Sequence, residues 1–119
     1  MTFINFTVIL ISVLFNAGAQ IFLKFGAEHK ELLIQNNTQL ILAYANTYIL
    51  LGLLCYAISI FLWIEALTKV HVSIAYPMLS MGYIFVTIFA YYFFNEDITA
   101  YKVIGLSIII LGIFILANA

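Results

Sequence analysis

The sequence predicts an all-α integral membrane protein, a bundle of four transmembrane helices that is too small to function except as a dimer or in a larger assembly. Hydrophobic residues make up 66% of the 119 residues and charged residues 8%, against about 45–50% and about 25% in a soluble domain. A helix needs roughly 20 apolar residues to cross a hydrocarbon core about 30 Å thick. Four such runs form a single transmembrane domain over residues 1–119, at about 3–25, 48–67, 72–94 and 101–117.

The first run carries polar residues at regular intervals. Ser12, Asn16, Gln20 and Lys24 recur every four residues, a spacing that places side chains along one helix face. An unpaired amide near the middle of the bilayer is costly, so Asn16 must face protein or water. The stripe predicts either interhelical hydrogen bonds or the wall of a polar path.

A polar connection over residues 26–46 follows the first run. Its second half favours a helix, with Asn37 or Thr38 as a possible N-cap, unless the chain breaks at Asn46. The remaining connections are short, so their flanking helices must be antiparallel neighbours.

The lysines are the only signal for orientation in the membrane. Lys24, Lys30 and Lys102 fall on one side of the predicted bundle and Lys69 on the other. The positive-inside rule would place the first and third connections in the cytoplasm. With so few charges, dual insertion stays open.

The second run contains an acidic residue, Glu65, followed four residues later by Lys69. This order favours an ion pair on a helix. The alternative is that Glu65 is a coupling acid that binds a proton or a cation, because charged groups inside membranes commonly mark ion pathways.

The third run carries a second polar and aromatic stripe, and Pro77 lies inside it. Proline cannot donate a backbone hydrogen bond and frees the carbonyl four residues earlier, so a kink is predicted beside the stripe. These side chains either join helices or line a path. The stripe consists of Ser73, Tyr76, Ser80, Tyr83, Thr87 and Tyr91.

The fourth run is mostly aliphatic, with Gly105 and Gly112 one heptad apart. Small residues allow helices to approach closely. We therefore expect this helix to pack against a second subunit, with packing inside one chain as the alternative.

Composition argues against several other classes of protein. The net charge is −1 and the chain has no arginine, so no basic patch for nucleic acid is expected. Cys55 lies in the second run and His71 lies beyond its far end, so the two residues are not placed to act as a nucleophile and its base. No metal-ligand spacing is present. We expect neither an enzyme nor a bound metal or cofactor.

Three segments together resemble the drug/metabolite transporter superfamily. The chain resembles most closely the EamA-like four-helix subunits that flip aminoarabinose-undecaprenyl phosphate across the bacterial inner membrane, and it is similar to the small multidrug resistance transporters. The resemblance implies a multi-pass inner-membrane protein, working as a homodimer, in which an antiparallel arrangement is one option, or as a heterodimer with a similar subunit. The segments are Ile-Ala-Tyr-Pro-Met-Leu-Ser at 74–80, Phe-Asn-Glu at 94–96, and Ile104-Gly105 to Gly112.

Two positions depart from the drug exporters. Aligning the Leu-Lys-Phe tripeptide at 23–25 places Asn16 where those exporters carry a proton-exchanging glutamate, and asparagine cannot titrate. Leu79 stands where they carry a tryptophan, which removes a cation–π surface. Both departures favour the lipid-carrier branch.

The resemblance therefore implies a transporter that moves an undecaprenyl-phosphate-linked sugar or a similar anionic amphiphile between leaflets. Lys24 would attract the phosphate, and the prenyl tail would stay in lipid. One alternative is a proton-coupled exporter of cationic drugs or polyamines that uses Glu65, and another is a non-transporting interaction subunit of a membrane complex. The polar headgroup would pass Ser12, Asn16, Gln20, Tyr76, Ser80 and Tyr83.

Overall fold

The computed structural model describes residues 3–37 and 39–119, and the regular elements in these ranges are helices. The third predicted span consists of two helices joined by a short 3-10 turn. The elements are α1 (Phe3–Gln35), α2 (Leu40–Tyr44), α3 (Thr47–Leu67), α4 (Val72–Met78), the 3-10 turn (Leu79–Met81), α5 (Gly82–Phe94) and α6 (Ala100–Ala117).

Four helical segments are long and apolar enough to cross a membrane, which confirms the predicted fold class. They are Phe3–Gln35, Thr47–Leu67, Val72–Phe94 and Ala100–Ala117. Most of their large apolar side chains are exposed. In a bilayer these side chains would face lipid or a partner instead of water.

Helix α1 continues to Gln35, whereas the sequence predicts an end near residue 25. The added segment contains Ala, Glu, Lys and Leu, which are strong helix formers even where they are polar. At about 1.5 Å per residue, α1 is about 50 Å long, well beyond a core about 30 Å thick. Hydropathy thus marked where the apolar segment stops, not where the helix stops.

The predicted break at Asn46 is present, and this side chain joins three segments of the chain. Its amide nitrogen donates to the carbonyls of Gly26 (3.0 Å) and Ala43 (2.9 Å). Its side-chain oxygen accepts from the backbone N–H of Ile49 at 3.1 Å, which caps α3. Asn46 therefore ties the junction of α2 and α3 to α1.

The start of α2 differs from the predicted capping. Asn37 lies in the left-handed region, with φ 62°, and the residue before α2 is Gln39, which makes no side-chain cap bond. Thr38, the other candidate cap, lies outside the described residues.

Small residues let α1 and α3 pack closely. A Cβ atom on Gly52 would lie 3.1 Å from the Leu23 side chain and 3.2 Å from the Ala19 carbonyl oxygen. A Cβ on Gly26 would lie 3.0 Å from the backbone nitrogen of Ile49. Close backbone approach through glycine is a usual basis of helix association in membranes.

Pro77 lies one residue before the end of α4, and the 3-10 turn follows directly. The interruption falls where the sequence predicts a kink, because proline removes a helical donor and crowds the preceding turn. It divides the third span into α4 and α5 and places the turn opposite the middle of α1.

The core lies toward one end of the bundle and includes α6 only weakly. It is formed by Ile9, Val13, Ala66, Ala75, Met78, Met81 and Ile113. Helix α6 contacts α4 and the 3-10 turn, and Ile113 is its one buried residue. A Cβ atom placed on Gly105 or Gly112 would have no neighbouring atom within 4 Å, so within one chain neither glycine supports close packing.

Candidate functional site

A cavity of about 500 Å³ lies between α1 and the interrupted third span. One wall comes from α1, and the other comes from α4, the 3-10 turn and the first turns of α5. The lining residues are Asn16, Ala17, Gln20, Tyr76, Pro77, Leu79, Ser80, Gly82, Tyr83 and Val86.

The cavity brings together five of the seven side chains predicted to contact substrate: Asn16, Gln20, Tyr76, Ser80 and Tyr83. The structure thus places the central parts of both polar stripes opposite each other. Their role in binding stays a prediction. Ser12 and Lys24 are the two that lie elsewhere.

The irregular third span explains how its polar residues reach the same wall. A 3-10 helix has 3.0 residues per turn, so residues three apart lie in line. Pro77, Ser80 and Tyr83 have this spacing across the turn at Leu79–Met81. Tyr76 and Tyr83 are 67% and 59% exposed, so the wall is open on one side.

Ser12 does not line the cavity, because it is fully buried against α3. Its hydroxyl donates to the Ser59 carbonyl at 2.9 Å, and the Ser59 hydroxyl donates to the Ser12 carbonyl at 2.9 Å. Residues four apart on a helix of 3.6 residues per turn are rotated by about 40° at each step. The stripe therefore winds around α1, so Ser12 faces α3 and Asn16 faces the cavity, while Gln20 lines the cavity and also reaches α3.

Lys24 lies at the opposite end of the same winding stripe, and its side chain is exposed. Its Nζ atom is 5.9 Å from the centre of the Phe94 ring, within the range of a cation–π contact. Phe25 packs against the Phe94 ring at 4.6 Å and against Tyr48 at 5.7 Å. Lys24 thus stands beside an aromatic cluster at the end of the bundle where α5 ends.

Gln20 has a partner that the sequence analysis missed. Its side-chain amide nitrogen donates to the hydroxyl of Tyr56 on α3. A usable signal was present, because Gly52, Tyr56 and Ser59 follow the i, i+4, i+7 spacing of one helix face. That face packs on α1, and its three residues are smaller or more polar than their neighbours.

Glu65 lies outside the cavity and is exposed near the end of α3. The alternative of an ion pair with Lys69 is not found. Within residues 3–37 and 39–119, the ion pair that is present is a different one, between Lys30 Nζ and Glu31 Oε1 at 3.1 Å. The backbone carbonyl of Glu65 accepts a hydrogen bond from the Thr68 hydroxyl at 2.7 Å.

The cavity can offer neutral hydrogen bonds next to apolar surface. Its described lining residues include amides, a serine and two tyrosines but no carboxylate, ammonium or imidazole group. Such groups can pair with hydroxyl, amine or phosphate oxygen groups on a ligand. Within the described part of the chain, no three His, Cys, Asp or Glu side chains lie close enough together to hold a metal ion.

The model of the EamA-like transporter family matches residues 1–118. The chain belongs to the EamA-like transporter family. This finding confirms the resemblance carried by the Tyr-Pro-Met-Leu-Ser segment and the glycine pattern of α6. No solved structure is significantly similar to the chain.

Relatives of this EamA-like chain are named as flippase subunits. It is 44% identical over 68 residues to a probable 4-amino-4-deoxy-L-arabinose-phosphoundecaprenol flippase subunit ArnF of Shewanella sediminis, covering 55% of this chain and 47% of the relative. It is 38% identical over 72 residues to a probable subunit ArnE of that flippase from an Enterobacter species, covering 60% and 67%. A probable ArnE subunit of Klebsiella pneumoniae is 35% identical over 69 residues, which cover 58% of this chain and 62% of the relative. The chain thus spans about half to two thirds of these relatives.

Proposed function

We propose that this chain is one subunit of a flippase that moves an undecaprenyl-phosphate-linked sugar between the leaflets of the bacterial inner membrane. The observation that carries the proposal is the neutral polar cavity between α1 and the third span. In this mechanism the sugar headgroup crosses the membrane along Asn16, Gln20, Tyr76, Ser80 and Tyr83.

A neutral cavity suits a sugar better than a cationic drug. Sugar hydroxyls are both donors and acceptors, and amide and hydroxyl side chains can match them. Asn16 cannot exchange a proton, and Leu79, which lines the cavity, offers no aromatic face to a cation. Glu65 is not part of this lining, so it supplies no carboxylate to a ligand held there.

The charged end of the substrate is assigned to the end of the bundle that carries Lys24. A lysine ammonium is a compact cation that commonly contacts phosphate. Gln20 lies one turn below Lys24 on α1, so a phosphate near Lys24 would place an attached sugar close to the cavity entrance.

A second subunit would complete the path. In one chain the cavity has two walls, and Tyr76 and Tyr83 remain largely exposed on its open side. We propose a homodimer or a heterodimer with a similar subunit, in which Gly105 and Gly112 on the exposed face of α6 permit close contact. Transport would then proceed by rocking of the two halves around the cavity.

Leaflet-resolved transport in liposomes tests this proposal. Purified protein is reconstituted with a fluorescent undecaprenyl-phosphate sugar, and the fraction accessible to a membrane-impermeant reagent is followed over time. Asn16→Leu removes a neutral hydrogen bond from a desolvated site, and we expect about a tenfold slower transport. Ser107→Ala is the matched control, because Ser107 is exposed on α6 and bonds its own helix at Val103.

Two outcomes would reject the proposal. Equal rates for the wild type and Asn16→Leu would remove the cavity from the transport path. Absence of transport by the wild type, with any natural partner subunit included, would instead favour a non-transporting interaction subunit.

A further inference from the structure

A second, smaller cavity of about 260 Å³ lies between α5 and α6. We call it the α5–α6 groove. Tyr83 lines both this groove and the larger polar cavity, so the two spaces adjoin at that ring. The groove is lined by Tyr83, Thr87, Lys102, Gly105, Leu106 and Ile109.

The groove is apolar along its length and has a cation at one end. Lys102 stands near the start of α6, and Ile109 lies two turns deeper, about 10 Å away along the helix axis. One leaflet of the hydrocarbon core is about 15 Å thick. A molecule in the groove would thus have its polar end at Lys102, near the membrane edge, and its apolar end toward the bilayer centre, the orientation of a lipid.

The Lys102 ammonium has capacity for an anion. It donates one hydrogen bond, to the backbone carbonyl of Asp97 at 2.7 Å, and an ammonium group has three donors. No ion pair joins it to Glu96 or Asp97, which are described residues in the preceding turn. Lys24 lies at the same end of the bundle, beside Phe94.

The lining of the groove matches an anionic lipid. Lys102 stands at one end, and the rest of the lining is mainly apolar over about 10 Å. The phosphate of such a lipid would meet the ammonium group, and its hydrocarbon chain would lie on the apolar lining. A helix of a second subunit could pack its side chains on the same surface, and the comparison of Gly105 with Gly112 separates the two occupants.

We propose that the α5–α6 groove binds the phosphate-proximal part of a polyisoprenyl chain, with the phosphate at Lys102. This inference rests on the proposed function and changes three parts of it. The tail is held by protein before the headgroup moves and does not stay wholly in lipid. The phosphate is first held at Lys102 and not at Lys24, and Gly105 faces the lipid chain, which leaves Gly112 for subunit contact. Tyr83 separates the groove from the polar cavity. A headgroup linked through the phosphate would leave the membrane edge and enter the cavity past this ring.

Gly105 provides a direct way to close the groove. No atom lies within 4 Å of a Cβ placed on Gly105, so a larger side chain would enter open space without disturbing the helices. Gly105→Phe would place a ring in the groove. Ser107→Phe puts the same ring on α6 at an exposed position outside the groove, and Gly112→Phe tests the effect of a ring at the other α6 glycine.

Photo-crosslinking tests the proposal without requiring transport. The full chain in phosphatidylethanolamine nanodiscs is labelled with a polyisoprenyl phosphate that carries a diazirine in its second isoprene unit, and the labelled residues are mapped by mass spectrometry. We expect labelling of α6 around residues 102–109 that excess undecaprenyl phosphate suppresses and excess phosphatidylethanolamine does not. Gly105→Phe should reduce this labelling by at least about tenfold, since it removes apolar burial of the probe, whereas Ser107→Phe should not.

The phosphate contact has its own measurement. Undecaprenol, which lacks the phosphate, should compete with the probe more weakly than undecaprenyl phosphate does. Lys102→Gln should remove most of that difference. Equal competition by the two lipids in the wild type would overturn the assignment of the phosphate to Lys102.

The remaining outcomes separate this proposal from the proposed function. The groove site is overturned if the groove is not labelled, or if phosphatidylethanolamine competes as well as undecaprenyl phosphate. It is also overturned if Gly105→Phe and Gly112→Phe reduce the labelling equally, because that result would assign the effect to subunit assembly. A wild type that transports in liposomes but is not labelled in the groove would leave the flippase intact. A wild type that is labelled there as expected but does not transport would reject the flippase and keep the groove as a lipid site.

Discussion

The buried contact between Ser12 and Ser59 gives a sharp test of how the polar residues of α1 are divided between structure and transport. Each hydroxyl donates to the other residue's backbone carbonyl at 2.9 Å, and the two hydroxyl oxygens are 3.2 Å apart. Ser12 is 0% and Ser59 4% exposed. We expect Ser12→Ala to lower the stability of the chain and leave transport unchanged.

The size of the effect follows from the bonding. Ser12→Ala removes one hydroxyl donor and leaves the Ser59 hydroxyl bonded to the Ser12 carbonyl. Side-chain hydrogen bonds between transmembrane helices contribute about 0.6 kcal/mol on average and about 1.7 kcal/mol at most. We expect a loss of about 0.6–1 kcal/mol for each single alanine variant. Ser12→Val adds volume at a closely packed contact and should cost about 1–3 kcal/mol.

The free energy of unfolding in detergent micelles measures the first part, and the rate of flipping in liposomes measures the second. Each hydroxyl donates to a backbone carbonyl that the other alanine variant keeps, so the Ser12→Ala and Ser59→Ala cycle can show coupling only through the contact between the two hydroxyl oxygens. We therefore expect a coupling below about 0.5 kcal/mol. Transport by Ser12→Ala should stay within about twofold of the wild type, a difference below about 0.5 kcal/mol in the barrier.

Ser107→Ala is the matched control for stability, because this exposed serine bonds the Val103 carbonyl of its own helix. The structural role of Ser12 is refuted if Ser12→Ala slows transport as strongly as Asn16→Leu while its unfolding free energy is unchanged. That result would place Ser12 on the path and reject the rotation of the stripe around α1.

Three further predictions concern other parts of the fold. Gly26→Ala should destabilise the chain by about 1–3 kcal/mol, because its methyl group would lie 3.0 Å from the Ile49 nitrogen and 3.3 Å from the Asn46 side-chain oxygen. An unchanged free energy of unfolding would contradict the packing of α1 on α3. Asn46→Ala removes three hydrogen bonds of a buried side chain and should lower the free energy of unfolding by about 2–3 kcal/mol. Hydrogen exchange at the Ile49 amide should become faster, and slow exchange there would show that the cap is dispensable. Glu65→Gln should leave the transport rate within about twofold of the wild type, with or without a pH gradient. Loss of transport in this variant would restore Glu65 as a coupling acid.

The sequence predicted much of the cavity because of where its polar residues fall. Asn16, Ser80 and Tyr83 stand out within apolar runs, and polar groups in a membrane must meet protein or water. Pro77 marks the interruption for a purely local reason, the missing backbone donor. Tyr56 was not predicted, because the spacing of Gly52, Tyr56 and Ser59 marks one face of its helix but does not indicate which helix that face will meet.

The sequence by itself determined the class of fold, since 66% hydrophobic composition and four long apolar runs are properties of the chain that packing cannot change. Tertiary structure decided which side chains share a space. Spacing by four residues resembles a straight stripe, but the drift of about 40° per step turned Ser12 toward α3 and left Asn16 and Gln20 at the cavity. The pairing of Gln20 with Tyr56 and the groove beside Gly105 were likewise decided by packing, because each depends on residues that are far apart in the sequence or on the absence of a neighbour.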